Sequence, residues 1–140
     1  MLLLSDVRDY LKSLGIAEHY YIGKLDNKKE KSIGVYQRGQ NKYTVPVGGL
    51  KNKTYDVKSV SLLLHWNKNA KETEQQAFFV LNKLETIRQI KMGDTPVYYV
   101  ALQTVEPVDV GTDDDGVYER VIWMDIYYER KVEDGESKAE

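Results

Sequence analysis

The sequence predicts a single α+β domain, in which a mostly antiparallel sheet carries two helices packed on one face. The chain has 140 residues, the usual size of one domain. Hydrophobic residues make up 41% of it, which is enough for one core. The predicted order of elements is α-β-β-β-α-β-β. Because the strands cluster instead of alternating with helices, an antiparallel sheet is favoured over a doubly wound parallel one.

The first predicted element is a helix of about ten residues near the N-terminus. An apolar stripe at i, i+3, i+4 and i+7 spacing is formed by Val7, Tyr10, Leu11 and Leu14. Ser5 or Asp6 can cap the start of this helix, and Gly15 suits the position after its end. A helix this short is unstable alone, so we expect its stripe to pack on a larger surface.

Two runs rich in tyrosine, isoleucine and valine follow, at residues 19–25 and 32–37. The polar segment 26–31 separates them, so the pair is predicted to form a hairpin. Residues 38–54 contain several glycines and a proline and are predicted to be a long loop, interrupted by a brief strand at residues 43–47. Loops of this length in compact domains tend to be functional or disordered.

The clearest predicted strand covers residues 57–66, and the second helix covers residues 71–90. One face of the strand carries Val60, Leu62, Leu64 and Trp66. The apolar half of the helix carries Ala77, Phe78, Val80, Leu81, Leu84 and Ile87. Phe79 lies on the polar half, where an aromatic side chain is unexpected. Leu62, Leu64, Leu81 and Leu84 are predicted core residues.

The C-terminal half predicts a long hairpin with strands at residues 95–105 and 117–130. Its turn contains the run Asp113-Asp114-Asp115-Gly116. In the last strand, Ile122, Met124, Ile126 and Tyr128 alternate with Val121, Trp123, Asp125 and Tyr127. After Arg130 the chain is charged and has no apolar period. We therefore expect one domain over residues 1–130 and a disordered charged tail over residues 131–140.

Most catalytic and metal-binding classes are excluded at this level. The chain has no cysteine, and its two histidines, His19 and His65, lie in separate predicted strands without metal-ligand spacing. An EF-hand alignment of the aspartate run puts Gly111 and Ile122 at ligand positions, so the run is predicted to be a turn. We expect no catalytic residues, no enzyme activity, no metal and no cofactor.

The apolar stretches are too short for a signal peptide or a spanning helix, and Met1–Leu4 lacks a basic flank, so we expect a soluble protein without a membrane partner. The net charge of −2 gives no indication of sequence-specific nucleic-acid binding. The charge is unevenly distributed, however. Residues 24–68 carry a net charge of +7 and residues 103–140 a net charge of −8. Such blocks are usually solvated surface, and the alternative is a complementary pair of binding surfaces.

The aromatic residues are mostly tyrosine, with eleven Tyr against two Phe and two Trp. Three adjacent pairs fall in predicted strands: Tyr20-Tyr21, Tyr98-Tyr99 and Tyr127-Tyr128. Neighbours in a strand face opposite sides of a sheet, so one member of each pair should point away from the core. The second face is then either a set of half-exposed residues or a protein–protein interface.

One C-terminal segment, together with the tyrosine pairs on its two sides, resembles minor capsid proteins of phages and prophages of Gram-positive hosts. This segment is Glu106-Pro107-Val108-Asp109-Val110-Gly111-Thr112-Asp113-Asp114-Asp115-Gly116-Val117-Tyr118. The layout of residues 37–66 and the following helix is also similar. Size and element order resemble the tail-terminator, or tail-completion, proteins. The resemblance implies a structural virion protein of the neck or tail, assembled in the bacterial cytoplasm, with no catalytic residues.

The resemblance further implies a homo-oligomeric ring, with six subunits as one option, that ends the tail tube and binds tail-tube and head-completion proteins. We expect the loop at 38–54 to be mobile in the free subunit and ordered on assembly. We also expect head-to-tail contact between the basic and acidic regions, provided that folding leaves them on opposite sides. The hypothetical interface residues are Lys28, Lys29, Lys31, Arg38, Tyr43, Phe79 and Tyr127. The alternatives are a non-viral binding or adaptor module and, more remotely, a small hydrolase.

Overall fold

The computed structural model describes residues 1–39 and 45–131. The elements in chain order are α1 (Leu4–Ser13), β1 (His19–Ile22), β2 (Ser32–Gln37), a 3₁₀ turn (Leu50–Asn52), β3 (Tyr55–His65), α2 (Ala70–Glu85), β4 (Arg88–Met92), β5 (Thr95–Leu102), β6 (Val108–Thr112) and β7 (Tyr118–Glu129). The strands form one sheet in the order β1-β2-β3-β7-β5-β4, and β6 pairs with β7. The predicted α+β class is confirmed, with two more strands than the sequence indicated.

The centre of the sheet is the antiparallel pair of β3 and β7, in register from Tyr55 opposite Glu129 to His65 opposite Glu119. On one face, fully buried side chains from these two strands are Val60, Leu62, Leu64, Ile122, Met124 and Ile126. They form one core cluster with Val7 and Leu11 of α1 and with Ala77, Val80, Leu81 and Leu84 of α2. Both helices therefore cover the same face, and the four predicted core leucines are confirmed.

The ends of α1 follow from local hydrogen bonding. Leu3 is the N-cap, and its backbone N–H donates to Oδ2 of Asp6 at 3.0 Å. Asp6 thus caps the helix through its side chain from within the first turn, as predicted for this residue, although the residue at the N-cap position is Leu3 and Ser5 takes no part. Gly15 follows the C-cap with φ of +66° and confirms the predicted helix end.

The predicted hairpin at residues 19–37 is wrong, because β1 and β2 are parallel, with Tyr20 opposite Ile33. After β1 the chain does not reverse into a tight turn. Leu25 is buried, and the backbone N–H of Lys31 donates to the carbonyl of Trp66 at 2.8 Å. The burial of Leu25 and the hydrogen bond of Lys31 hold this connection against the sheet, so that the chain returns to the start of β1 before β2 begins.

The second predicted helix ends one turn earlier than expected. Asn69 caps α2 by accepting a hydrogen bond from the N–H of Glu72, but the helix stops at Glu85 instead of residue 90. Residues 88–92 form β4, and Gly93, with φ of +60°, makes the turn into β5. The spacing of Ile87 and Ile90 fits a helix, yet the pairing of β4 with β5 prevails.

The remaining differences concern connections. The segment between the two predicted C-terminal strands contains a further strand, β6, at residues 108–112, which shortens the turn to the aspartate run. In the predicted strand at 43–47, Tyr43 and Thr44 lie outside the described residues, and residues 45–47 are not in a strand. Part of the loop at 38–54 and all but the first residue of the predicted tail also lie outside the described residues.

Candidate interaction surface

The face of the sheet that points away from the helices carries a cluster of exposed aromatic side chains. We call it the aromatic face and define it as Tyr55, Tyr99, Trp123 and Tyr127. The rings of Tyr99 and Tyr127 stack with centroids 4.6 Å apart and planes within 9°. Tyr55 tilts against the other side of Tyr127, with centroids 5.7 Å apart. These contacts follow from strand order, since β7 lies between β3 and β5.

Two arginines lie against this aromatic face. The guanidinium carbon of Arg38, just after β2, is 5.0 Å from the ring centroid of Trp123. That of Arg88, in β4, is 5.8 Å from the ring centroid of Tyr99, its cross-strand partner. Both distances allow a cation–π attraction. The face therefore presents flat aromatic surface together with cationic groups.

Asp125 of β7 holds the side chain of Arg38 in position. Its Nη2 donates to Oδ1 of Asp125 at 2.8 Å, and Oγ of Ser59 donates to the same oxygen at 2.7 Å. Only about a quarter or less of the Arg38 and Asp125 side chains is exposed. Because both partners are largely withdrawn from water, the guanidinium is fixed over Trp123 before any partner binds.

The outer rim of the aromatic face is open to solvent. Trp123 is 44% exposed, Tyr99 39% and Tyr55 36%, whereas Tyr127 lies deeper between its neighbours. Burial raises the pKa of the Tyr127 phenol above its ordinary value, and the nearby Tyr99 and Asp125 raise it further. Both effects favour the neutral phenol, which can donate or accept a hydrogen bond.

At the other end of the same face of the sheet, neighbouring residues cover the side chain of His65. This side chain is fully buried, with Nδ1 2.9 Å from a carboxylate oxygen of Glu119 and Nε2 3.0 Å from the carbonyl oxygen of Asn27. Both ring nitrogens thus face acceptors. The hydroxyl of Ser32, which lies opposite His65 in the β2–β3 pair, donates to the carbonyl of Lys29. This arrangement joins two turns to the sheet and keeps His65 buried.

Asp113 completes that end of the sheet. Its Oδ1 accepts hydrogen bonds from the N–H groups of Val117 and Asp115, each at 2.9 Å, and its Oδ2 lies 3.7 Å from Nε2 of His65. The N–H of Val117 is the main cause of an Asp113 pKa below the ordinary value, which partial burial opposes and His65 supports. The aspartate run is a hairpin turn, as predicted.

The structure brings together only part of the hypothetical interface. Among the predicted residues that it describes, Arg38 and Tyr127 are at the aromatic face. Lys28 and Lys29 are exposed in the connection between β1 and β2, and Nζ of Lys31 lies 3.7 Å from a carboxylate oxygen of Glu18. Phe79 is on α2, on the opposite side of the sheet. Tyr43 lies outside the described residues.

Sequence reasoning did not select Tyr55, Tyr99, Arg88, Trp123 or Asp125. For the two residues of β7 a signal was present, because strand alternation already grouped Trp123 and Asp125 with Tyr127. For Tyr99 the alternation is broken by a bulge between Val97 and Tyr99, so the outward member of the Tyr98-Tyr99 pair could not be assigned. Arg88 belongs to a strand that was predicted as helix.

Within residues 1–39 and 45–131, no group of three or more metal-ligating side chains is placed to hold an ion. None of the helices in this part of the chain is long and apolar enough to cross a membrane. The surface with the most distinctive chemistry is therefore one that offers aromatic and arginine contacts. That make-up is typical of a module that binds other proteins.

Comparison with known families identifies which kind of module this is. A family model described as bacteriophage tail terminator protein matches residues 10–130. With most of its length matched, the chain belongs to the bacteriophage tail terminator family, and the resemblance to tail-terminator proteins drawn from the sequence is confirmed. It is a structural component of the phage virion tail that works with other tail and head proteins. Comparisons with curated proteins and with solved structures give no match.

Proposed function

We propose that this protein is the subunit of a homo-oligomeric ring that ends the phage tail tube and joins it to the head. The match to the tail terminator family over residues 10–130 carries this proposal. A protein that caps a tube must bind copies of itself as well as the tube, so it needs several binding surfaces. The non-viral adaptor considered from the sequence is not needed to explain the chain.

The aromatic face supports assembly as the working mode of the subunit. Exposed Trp and Tyr side chains with fixed arginines are the residues that contribute most to protein–protein binding. Arg38 is already held by Asp125, so little side-chain freedom is lost when a partner covers Trp123.

The charge blocks have a smaller role than the sequence suggested. Asn27 in the basic region and Asp113 in the acidic region both contact His65, so these two turns are neighbours within one subunit. Arg38 and Asp125, from the two blocks, also neutralise each other within the subunit. The condition that the blocks face opposite sides is not met at these places. We retain Lys28 and Lys29 as exposed residues that set orientation and association rate.

The test is electron microscopy of phage particles made without this protein. We expect tails of irregular length and heads without attached tails, and rescue of both defects by the wild-type protein supplied separately. Tails of normal length joined to heads would contradict the proposal. Charge reversal at Lys28 and Lys29 is expected to slow rescue in a salt-dependent way, because exposed charges are screened over about 8 Å at physiological salt.

A further inference from the structure

A second exposed aromatic feature lies on α2. Phe79 is 48% exposed on the outer side of a helix whose inner side packs on the core. It borders an open groove of about 530 Å³ lined by Lys71, Glu74, Gln75, Phe78 and Asn82. Nζ of Lys83 is 5.5 Å from the centroid of its ring. We call this the outer surface of α2. A large apolar ring at a polar helix position has no role in the core.

We propose that the outer surface of α2 in one subunit binds the aromatic face of the next, so that subunits join head to tail. This inference rests on the proposed ring and assigns its two contact surfaces. Helix α2 covers one face of the sheet through Ala77, Val80 and Leu84, whereas Trp123 and Tyr127 point from the other face. The two surfaces therefore lie on opposite sides of the subunit, as a heterologous contact requires.

One ion pair can form between the two surfaces. Arg88 brings an exposed guanidinium to the aromatic face, and within the part of the chain that the structure describes it has no carboxylate partner. The outer surface of α2 carries both signs, with Lys71 and Lys83 near Phe79 and one exposed carboxylate, Glu74, lining the groove. Phe79 can pack against the Trp123 and tyrosine rings while a carboxylate reaches Arg88.

The competing arrangement is a symmetric pairing of two aromatic faces. Charge does not decide against it, because Asp125 neutralises Arg38 and Arg88 lies in the edge strand β4. A symmetric pair closes at two subunits, however, and leaves Phe79 uncovered, so it builds no ring.

Two single substitutions test the proposal: Trp123→Asp and Phe79→Asp. Both positions are more than 40% exposed, so each variant should keep the wild-type circular dichroism spectrum. Sedimentation velocity should show assemblies for the wild type and only monomers for each variant alone. An equimolar mixture should form dimers and nothing larger, because each variant retains one intact surface of the pair. Val105→Asp, at a 93% exposed position outside both surfaces, is the matched control and should assemble like the wild type.

Several results would overturn the inference. If Phe79→Asp assembles normally while Trp123→Asp does not, the aromatic face has another partner. If the mixture stays monomeric, the two surfaces do not bind each other. A wild-type protein that remains monomeric at the highest concentration at which it is soluble would also show that the two surfaces do not bind each other. The tail defect in particles made without the protein is measured independently of subunit association. Failure of the contact between the two surfaces would therefore leave the proposed function standing. Failure of the proposed function would be seen separately, in the particles.

Discussion

Arg38 and Asp125 are 87 residues apart in the chain, yet their side chains meet at 2.8 Å on the helix-free face of the sheet. The same carboxylate oxygen accepts the hydroxyl of Ser59, and the guanidinium lies over Trp123. One carboxylate thus links the end of β2, the middle of β3 and the exposed tryptophan of β7. The orientation of the candidate interaction surface depends on this contact.

Replacing Asp125 with Ala is expected to lower the free energy of unfolding by about 1–3 kcal/mol, because Arg38 and Ser59 both lose an acceptor in a partly buried place. Urea denaturation followed by circular dichroism measures this change. Asp9→Ala is the control, since Arg8 and Asp9 also meet at 3.0 Å but the Asp9 side chain is 64% exposed. That change should cost less than about 1 kcal/mol. Equal losses in the two variants would show that burial does not strengthen the Asp125 contact.

Leu64→Ala should cost about 2–5 kcal/mol, the range for truncating a leucine that is fully buried among close-packed neighbours. Leu50→Ala is the matched control, because Leu50 is 43% exposed in the 3₁₀ turn and should lose less than about 1 kcal/mol. Chemical denaturation of the two variants under identical conditions gives the comparison. A small effect at Leu64 would mean that its side chain does not face the core.

Gly93→Ala should destabilise the protein by more than about 1 kcal/mol, because a left-handed backbone is unfavourable for alanine. Gly93 has φ of +60°, and an added Cβ would lie 2.6 Å from Oδ1 of Asp6, the residue that accepts the Leu3 N–H. Gly39→Ala is the control, since a Cβ there meets open space and the backbone φ is not in the positive range. Thermal melting should show a lower Tm only for Gly93→Ala. A similar Tm for both variants would contradict the predicted clash.

Asp113 is expected to make stability dependent on pH in the acidic range. Its pKa is lower in the folded protein than in the unfolded chain, so its charged form stabilises the fold at pH above the unfolded value. That contribution is lost as pH falls through the lowered folded pKa. Asp113→Asn should therefore reduce Tm at neutral pH, and the difference from wild type should shrink on acidification. Asp114→Asn, at an exposed position of the same turn, should show neither effect.

The parts of the fold that the sequence predicted are those set by short-range periodicity. The alternation of Val60, Leu62 and Leu64 and the helical spacing of Ala77, Leu81 and Leu84 identified the two main contributors to the core. The parallel pairing of β1 with β2 was missed, because it depends on the hydrogen bond from Lys31 to the carbonyl of Trp66, a long-range contact that local patterns do not show. Strand β4 was missed because the spacing of Ile87 and Ile90 continues the apolar stripe of the helix, although only Ile90 lies in β4.

The candidate surface was predicted in part, again because short-range periodicity shows which side chains point away from the core. Alternation in β7 placed Tyr127 away from the core, and the exposed position of Phe79 on the polar side of α2 was also predicted correctly. The cluster itself depends on which strands flank β7, and strand order is a long-range property. Only the order β3-β7-β5 brings Tyr55 and Tyr99 to the two sides of Tyr127.

The placement of β7 between β3 and β5 also governs how the chain can fold as it leaves the ribosome. Strand β3 pairs with a strand that begins more than fifty residues later, His65 opposite Glu119 being the closest pair in sequence. Until β7 is synthesised, β3 and β5 each expose an unpaired edge and an apolar face, and the nascent chain can at most form the two helices, the β1-β2-β3 part of the sheet and the β4–β5 hairpin. Completion of the sheet therefore follows translation of β7, and the nascent chain is open to aggregation until then.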